Sequence, residues 1–387
     1  MTGIEGTVRP GFEKVRDAFA ANFADHDELG AAFACHVGGE LVVDLWSGVA
    51  DRRTGAPWTA DTLQLIFSTS KGLAAICVGM LVDRGLLDLE QPVSDHWPEF
   101  GQAGKEAVTV GEMMSHQVGI PVVDAQLTLE EILAVEPVVG ALAAQTPVWE
   151  PGTAHGYHAL TYGWLVGELV RRIDGRGVGT FLAEEVAGPL GAQTWIGLPE
   201  SEQARVSRLE PAPPPEDPEL LAIMRDLLGP GTLANRALSM DGAFGMPGVG
   251  DEMAWNRPDV HRSEIPAANA ITTARSLSAI YGATVAEVDG VRLLSDEVVD
   301  AMRAERVDGP DRVLAVTSRF GTGFMLHGEL APMMGDGSFG HPGAGGSLGY
   351  ADPETGVGYG YVMNQMGSGL AGDPRTIRLT EAVRACL

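Results

Sequence analysis

Cysteine is scarce in this chain. Only Cys35, Cys77 and Cys386 occur among 387 residues, and no two form a Cys-x-x-Cys pair. That excludes a disulfide framework and a cysteine-built zinc site. Positive charge is scarce as well: 26 Lys plus Arg face 52 Asp plus Glu, a net charge of −26. A surface of that sign repels phosphate, so it predicts no nucleic acid and no membrane among the partners, and the charge serves solubility. Long apolar runs are missing. The longest, from Gly72 to Val82, is too short to span a bilayer. The opening MTGIEGTVRPGFEKV lacks the apolar stretch of an export signal. These absences predict a soluble, cytoplasmic protein. With 45% hydrophobic and 20% charged residues, the chain has material for one large domain or two interlocked ones.

What is present changes character along the chain. Phe12, Val15, Phe19 and Phe23 recur at helical spacing, which predicts an amphipathic helix over 11–23. Strand-like runs follow at 31–37 and 40–49, with Gly38-Gly39 as a two-residue hairpin turn. From about 70 to 190 the period is helical, with helices expected over 71–85 and 162–173, the second ending at Asp174-Gly175. Residues 211–218 read as a stiff proline loop. Residues 229–266, rich in Gly, Pro and Asn, read as a substrate wall or lid. Short strands are expected at 312–316, 320–326, 347–351 and 357–363, and a closing helix at 373–385. Strands at both ends with helices between predict one sheet built from both termini, with a helical insertion packed on it.

Three segments could carry chemistry. In Ser68-Thr69-Ser70-Lys71, a serine at a helix start meets free backbone N–H groups, and the lysine three residues on shares its face. A neutral lysine there can take the serine proton. The same four residues also describe a plain helix cap beside a surface lysine. Ser70 is a rival nucleophile, but no basic residue stands three or four positions after it. In the second segment, Pro151-Gly152 leads to Tyr157, a candidate proton shuttle or a packed aromatic. His155 and His158 flank it without a third ligand at metal spacing. The third segment, 340–349, holds His341, Gly343, Ala344 and Ser347, with glycines that let backbone approach a ligand. Its Gly345-Gly346-Ser347-Leu348-Gly349 satisfies Gly-x-Ser-x-Gly. A nucleophile elbow needs a helix after the serine and a later histidine, and this chain has a hairpin pattern and no later histidine.

Taken in order, these segments resemble the serine β-lactamase and penicillin-binding-protein superfamily, and within its class C-like branch the family VIII carboxylesterases. Ser68-Thr-Ser-Lys71 matches the Ser-x-x-Lys motif. Tyr157-His-Ala159 stands where the family has Tyr-x-Asn, and His341-Pro-Gly343 where it has Lys-Thr-Gly or His-x-Gly. Residues 86–93, 114–120 and 269–273 also look like the family. The resemblance implies an α+β, β-lactamase/transpeptidase-like fold, an antiparallel sheet flanked by terminal helices plus an inserted all-helical domain. Residues 1–60 and 285–387 would form the mixed domain and 61–284 the helical one, with the site between them. By the same resemblance Ser68 is the acylated nucleophile, Lys71 and Tyr157 the base pair, and the N–H groups of Ser68 and Ala344 the oxyanion hole. His341, Gly343 and Ala159 would line the substrate, without metal or cofactor. Ala159 offers no side-chain hydrogen bond and His341 no fixed cation, which favours short neutral esters over penicillins and peptides. A β-lactamase, a D-amino-acid peptidase, an acyltransferase on the same acyl-enzyme and a silent binding protein are the competing readings. The partner is a small-molecule ester, and a homo-oligomer is compatible with all of this.

Overall fold

The computed structural model describes every residue except 1, 2, 215, 216, 218–221, 223 and 224. The first two residues of the opening segment and residues 215, 216 and 218 of the 211–218 proline loop therefore lie outside the described residues. An antiparallel sheet runs from edge to edge through Glu5–Val8, Glu40–Asp51, Gly30–Val37, Val357–Met363, Leu348–Asp352, Phe339–Pro342, Met325–Leu326, Thr317–Phe320 and Val307–Pro310. The two ends of the chain meet in its middle, where Tyr361 pairs with Phe33 and Gly360 with Ala34. Gly38 and Gly39 both take positive φ, 57° and 84°, as a tight hairpin between twisted strands requires.

The strand Val357–Met363 shows why helices cover both faces. Its side chains alternate, so Gly358 and Gly360 share one face and Tyr359 and Tyr361 the other. The helix Ala274–Val285 lies against the glycine face so closely that a Cβ at Gly358 would overlap Gly282, and one at Gly360 the Ala274 carbonyl. On the other face Tyr359 stacks on Tyr350 at 4.5 Å between ring centroids and donates to the Thr376 carbonyl at 3.2 Å. Thr376 belongs to the helix Pro374–Arg384, which packs on the helix Glu13–Asp25. The boundary expected at 284/285 falls at the end of the Ala274–Val285 helix, whose neighbours are the strands of the sheet.

Helices fill the space between the terminal segments. The central one, Ser70–Asp83, is buried from Ser70 to Leu81. This is the apolar run of the sequence, and a helix apolar all round belongs inside. It packs on the helix Thr161–Asp174, which Gly175 ends in the left-handed conformation at φ 90°. Among the described residues no helix is long and apolar enough to cross a membrane. A small sheet of Gln64–Leu65, Ile271–Thr272 and Thr194–Trp195 adds strands to a region expected to be wholly helical.

Several expected bounds move. Residues 312–316 are the turn between Val307–Pro310 and Thr317–Phe320, not a strand, because Asp311 gathers the local N–H groups into the turn. The 320–326 run breaks at 321–324 into two strands, since the 321 position presses on the Met302 and Ala304 carbonyls. The strand Phe339–Pro342 went unread because it is short and carries Gly and Pro. Within 229–266 lie the short helices Leu233–Ser239, capped by Thr232, and Pro258–Arg262.

Replacing Gly358 by valine should lower the urea unfolding free energy by about 1–3 kcal/mol or more, as overpacking does. Gly140→Ala, in the helix Glu136–Ala144 with open space around its Cβ position, should hold or raise it. Equal effects of the two would refute the close helix–sheet contact.

Candidate active site

The site begins with a strained turn. Phe67 has φ 43°, a conformation rare for a bulky residue. Its ring is held edge-on to Trp255 at 5.2 Å. The turn Phe67–Thr69 opens into the Ser70–Asp83 helix and leaves Ser68 half-buried at the wall of a cavity. Ser70 is wholly committed to this turn. Its hydroxyl donates to the Phe67 carbonyl at 2.5 Å and accepts the Ala270 N–H at 2.9 Å, which removes it as a nucleophile.

Lys71 is fully buried, and its Nζ has three neighbours: Ser68 Oγ at 3.0 Å and the carbonyls of Ala159 at 2.7 Å and Ala267 at 3.1 Å. Burial pulls the amine well below its ordinary pKa. In the neutral form two N–H bonds serve the two carbonyls, and the lone pair is left for the Ser68 hydroxyl. Nζ also lies 4.7 Å from the centre of the Tyr157 ring. The Tyr157 hydroxyl bonds to Ser68, and burial raises the phenol above its ordinary value, so it is protonated at rest.

Tyr157 is placed by a carboxylate that no sequence pattern announced. Asp311 Oδ1 accepts the N–H groups of Tyr157 at 3.0 Å, Val313 at 2.8 Å and Leu314 at 2.9 Å, and Oδ2 accepts the Ser318 hydroxyl at 2.9 Å. His155 pairs with the same Ser318 at 3.0 Å. His158 Nδ1 donates to the Gly156 carbonyl at 2.7 Å, and its Nε2 accepts the Ile120 N–H at 3.0 Å. The two histidines thus serve loop packing, and no group of three or more metal-ligating side chains occurs among the described residues.

The third segment closes the site. Gly343 presses on the Ser68 turn so tightly that a Cβ there would overlap the Ile66 carbonyl. Ser347, the serine of the elbow pattern, is buried. It donates to that Ile66 carbonyl at 2.8 Å and pairs with Thr69 Oγ1 at 3.0 Å. The strand Leu348–Asp352 follows it rather than a helix, so Ser347 is a clamp on the Ser68 turn. The N–H groups of Gly343, Gly345 and Gly346 bond to the carbonyls of Ser347, Gly369 and Gly343 at 2.7, 3.0 and 3.0 Å, and Ala344 between them lines the cavity. His341 Nδ1 donates to the Pro342 carbonyl at 2.6 Å, so Nε2 bears the lone pair, and it has no partner among the described residues. Burial pushes this imidazole down to about 3.

Ser68, Tyr157, Ala159, His341 and Ala344 line one cavity of about 210 Å3, with Lys71 and Gly343 directly behind its wall. Among the described residues the remaining lining, Leu238, Trp255, Leu314 and Leu330 in it, carries no charged side chain.

Five buried imidazoles make the folded chain sensitive to acid. Burial lowers His36 and His158 to about 4, His341 to about 3, His116 well below its ordinary value and His261 below it. Unfolded, each binds a proton near 6.5, so below that pH the unfolded state holds more protons and stability falls by up to about 1.4 kcal/mol per pH unit per histidine. Burial raises the carboxyls of Glu28, Asp44 and Glu264. These three oppose the loss, and the five imidazoles outnumber them. The melting temperature should therefore drop steadily from pH 6.5 to 4.5, and His36→Gln, remote from the cavity, should flatten the slope. A constant or rising melting temperature over that window would contradict these burials.

The Beta-lactamase family profile matches residues 15–383. The chain is 37% identical over 369 residues to the esterase/beta-lactamase LipL of Mycobacterium tuberculosis, across 94% of this chain and 83% of that one. A solved family VIII carboxylesterase is 40% identical, with a TM-score of 0.89 over the whole of both chains. A penicillin-binding-protein homologue from Caulobacter crescentus is also 40% identical, with a TM-score of 0.86 and full coverage of both. The fold is the β-lactamase/transpeptidase-like one that the motifs implied. A profile that spans nearly the whole chain, over a cleft where Ser68, Lys71 and Tyr157 converge, settles the kinship: the chain belongs to the beta-lactamase family.

Proposed function

We propose that this protein is a serine carboxylesterase that cleaves short, neutral carboxylic esters through an acyl-enzyme. The observation that carries the reading is the Lys71 amine, stripped of water and set 3.0 Å from Ser68 Oγ with two carbonyls as its other neighbours. The relatives named esterase and carboxylesterase support it. Ser68 gives its proton to Lys71 as Oγ attacks the ester carbonyl. The oxyanion forms against the N–H groups of Ser68 and Ala344. The Tyr157 hydroxyl hands a proton to the departing alkoxide and is reprotonated from Lys71. Water then attacks the acyl-Ser68 ester by the same proton path in reverse and releases the acid.

The cavity supports the choice of substrate. Among the described residues it offers no cation to a carboxylate and no side-chain amide to a peptide, and its volume of about 210 Å3 is below the ~300–1,000 Å3 of pockets for drug-sized ligands. His341 adds only a neutral lone pair. A penicillin would lose the polar partners on which its recognition depends. We place the enzyme in the cytoplasm, in keeping with three cysteines that are all free. We also propose that the cleft lies between a sheet-centred part made of both ends of the chain, joined by the Ala274–Val285 helix, and a mainly helical middle.

Ser68→Ala should abolish turnover of p-nitrophenyl acetate. Lys71→Ala and Tyr157→Phe should each cost at least about 10²–10⁴-fold in kcat with circular dichroism unchanged. Near-normal activity of Tyr157→Phe would reduce Tyr157 to a packing role. In a series of p-nitrophenyl acetate, butyrate and laurate beside nitrocefin, kcat/KM should be highest for the acetate or butyrate. Nitrocefin turnover equal to theirs would favour a β-lactamase, and laurate as best substrate would refute the short-chain preference alone.

A further inference from the structure

The loop that carries the Ala344 N–H is held from behind by an ionic cluster outside the cavity. Arg375, in the first turn of the helix Pro374–Arg384, is 3% exposed at its side chain, and all five of its guanidinium N–H donors are engaged. Nε donates to Asp373 Oδ1 at 2.9 Å. Nη1 donates to Glu28 Oε1 at 3.1 Å and to the Gln365 carbonyl at 2.9 Å. Nη2 donates to Asp373 Oδ2 at 2.7 Å and to the Gly345 carbonyl at 2.6 Å. Glu28 has no exposed side-chain surface, and its other oxygen accepts the Tyr361 hydroxyl. The cluster thus ties the segment just before the strand Gly30–Val37, the last strand through Tyr361 and the closing helix to one carbonyl of the loop.

That carbonyl sits one residue past Ala344. The Gly345 oxygen also accepts the Gly367 N–H at 2.8 Å, and the Gly345 N–H is bound to the Gly369 carbonyl at 3.0 Å. On the other side, the Gly343 N–H is bound to the Ser347 carbonyl. The Gly346 N–H, in the same peptide as the Gly345 carbonyl, donates to the Gly343 carbonyl at 3.0 Å, and that carbonyl shares its peptide plane with the Ala344 N–H, so the hold on Gly345 reaches the Ala344 N–H through one hydrogen bond. Gly346 follows at φ 125°, and a Cβ there would strike both Arg375 Nη2 and Asp373 Oδ2, so the loop rests directly on the cluster.

We propose that Arg375, braced by Glu28 and Asp373, is a positioning residue for the oxyanion hole: it fixes the Gly345 carbonyl and through it the direction of the Ala344 N–H. This inference rests on the Ala344 role proposed above. Removal of one oxyanion donor costs about 10²–10³-fold in kcat, so misaiming one should cost about 10–100-fold while ground-state binding stays nearly unchanged. A lysine cannot reproduce a five-donor planar fork, so Arg375→Lys should not restore the rate.

The test compares Arg375→Gln, Arg375→Lys and Asp373→Asn with the parent enzyme on p-nitrophenyl acetate. Rates are referred to the Ser68 sites that react to completion with a fluorophosphonate. The expected result is a lower kcat per titrated site, a KM within about threefold, and a matching loss of affinity for a phenylboronic acid, whose adduct with Ser68 mimics the tetrahedral oxyanion. A purely structural role would lower the melting temperature and the titrated fraction but leave kcat per site and boronate affinity intact, and that result overturns the proposal. If Arg375→Gln does not fold, Asp373→Asn decides, because it keeps the side-chain shape and one acceptor oxygen; an unchanged kcat there is equally fatal. Retained activity in Ser68→Ala would instead defeat the esterase mechanism, so the two failures are distinguishable.

Discussion

The amine of Lys71, buried with no carboxylate beside it among the described residues, is the constraint around which the site is built. An ammonium taken out of water without an anion is costly, so the fold tilts this group toward its neutral state by desolvation. The Ala159 and Ala267 carbonyls then hold the amine in place without charging it. Each carbonyl comes from a different part of the helical region, one from the Tyr157 loop and one from the segment before the small three-stranded sheet. The same two contacts that orient the amine therefore also join two distant segments of that region.

Strain and close approach supply the rest of the geometry. Phe67 holds a positive φ because its ring is trapped against Trp255, and the turn it forces lifts Ser68 into the cavity. Opposite, Gly343 and Ser347 press on the same turn from the sheet side, with the Ile66 carbonyl caught between them. A reactive serine on a strained turn can keep its position only if its surroundings over-determine it. Here two layers of the fold do so, one through an aromatic ring and one through a glycine and a hydroxyl.

Much of this was legible in the residues, and what was not has a physical reason. The hairpin at Gly38-Gly39 and the end of the helix at Gly175 were plain because glycine at positive φ leaves a local mark. Ser68, Lys71, Tyr157, Ala159, His341, Gly343 and Ala344 were readable as three short motifs, and the fold brings all three to one cleft. The support behind them was not readable. Asp311 looked like one more acidic residue in a chain of net charge −26, because its value lies in three N–H groups that converge only after folding. Arg375 was similarly anonymous, and its partner Glu28 is more than three hundred positions away. The Phe339–Pro342 strand, which presents His341, was hidden because pairing partners, not propensity, make a four-residue strand with Gly and Pro.

The glycine–tyrosine alternation of Val357–Met363 has a consequence for how the chain assembles. A slip of one residue against Gly30–Val37 would turn Tyr359 and Tyr361 toward the Ala274–Val285 helix, where there is no room even for a methyl group. The strand therefore has one admissible register, and it is set by a helix made earlier in synthesis. Contacts between residues 30–37 and 357–363 close nearly the whole chain into a loop, the kind of pairing that forms late. Ser68 and Lys71 leave the ribosome long before Ala344 and Arg375, so a nascent or truncated chain holds one wall of the cleft without the loop that closes it. Arrival of the last strands in register is, in effect, the step that arms the enzyme.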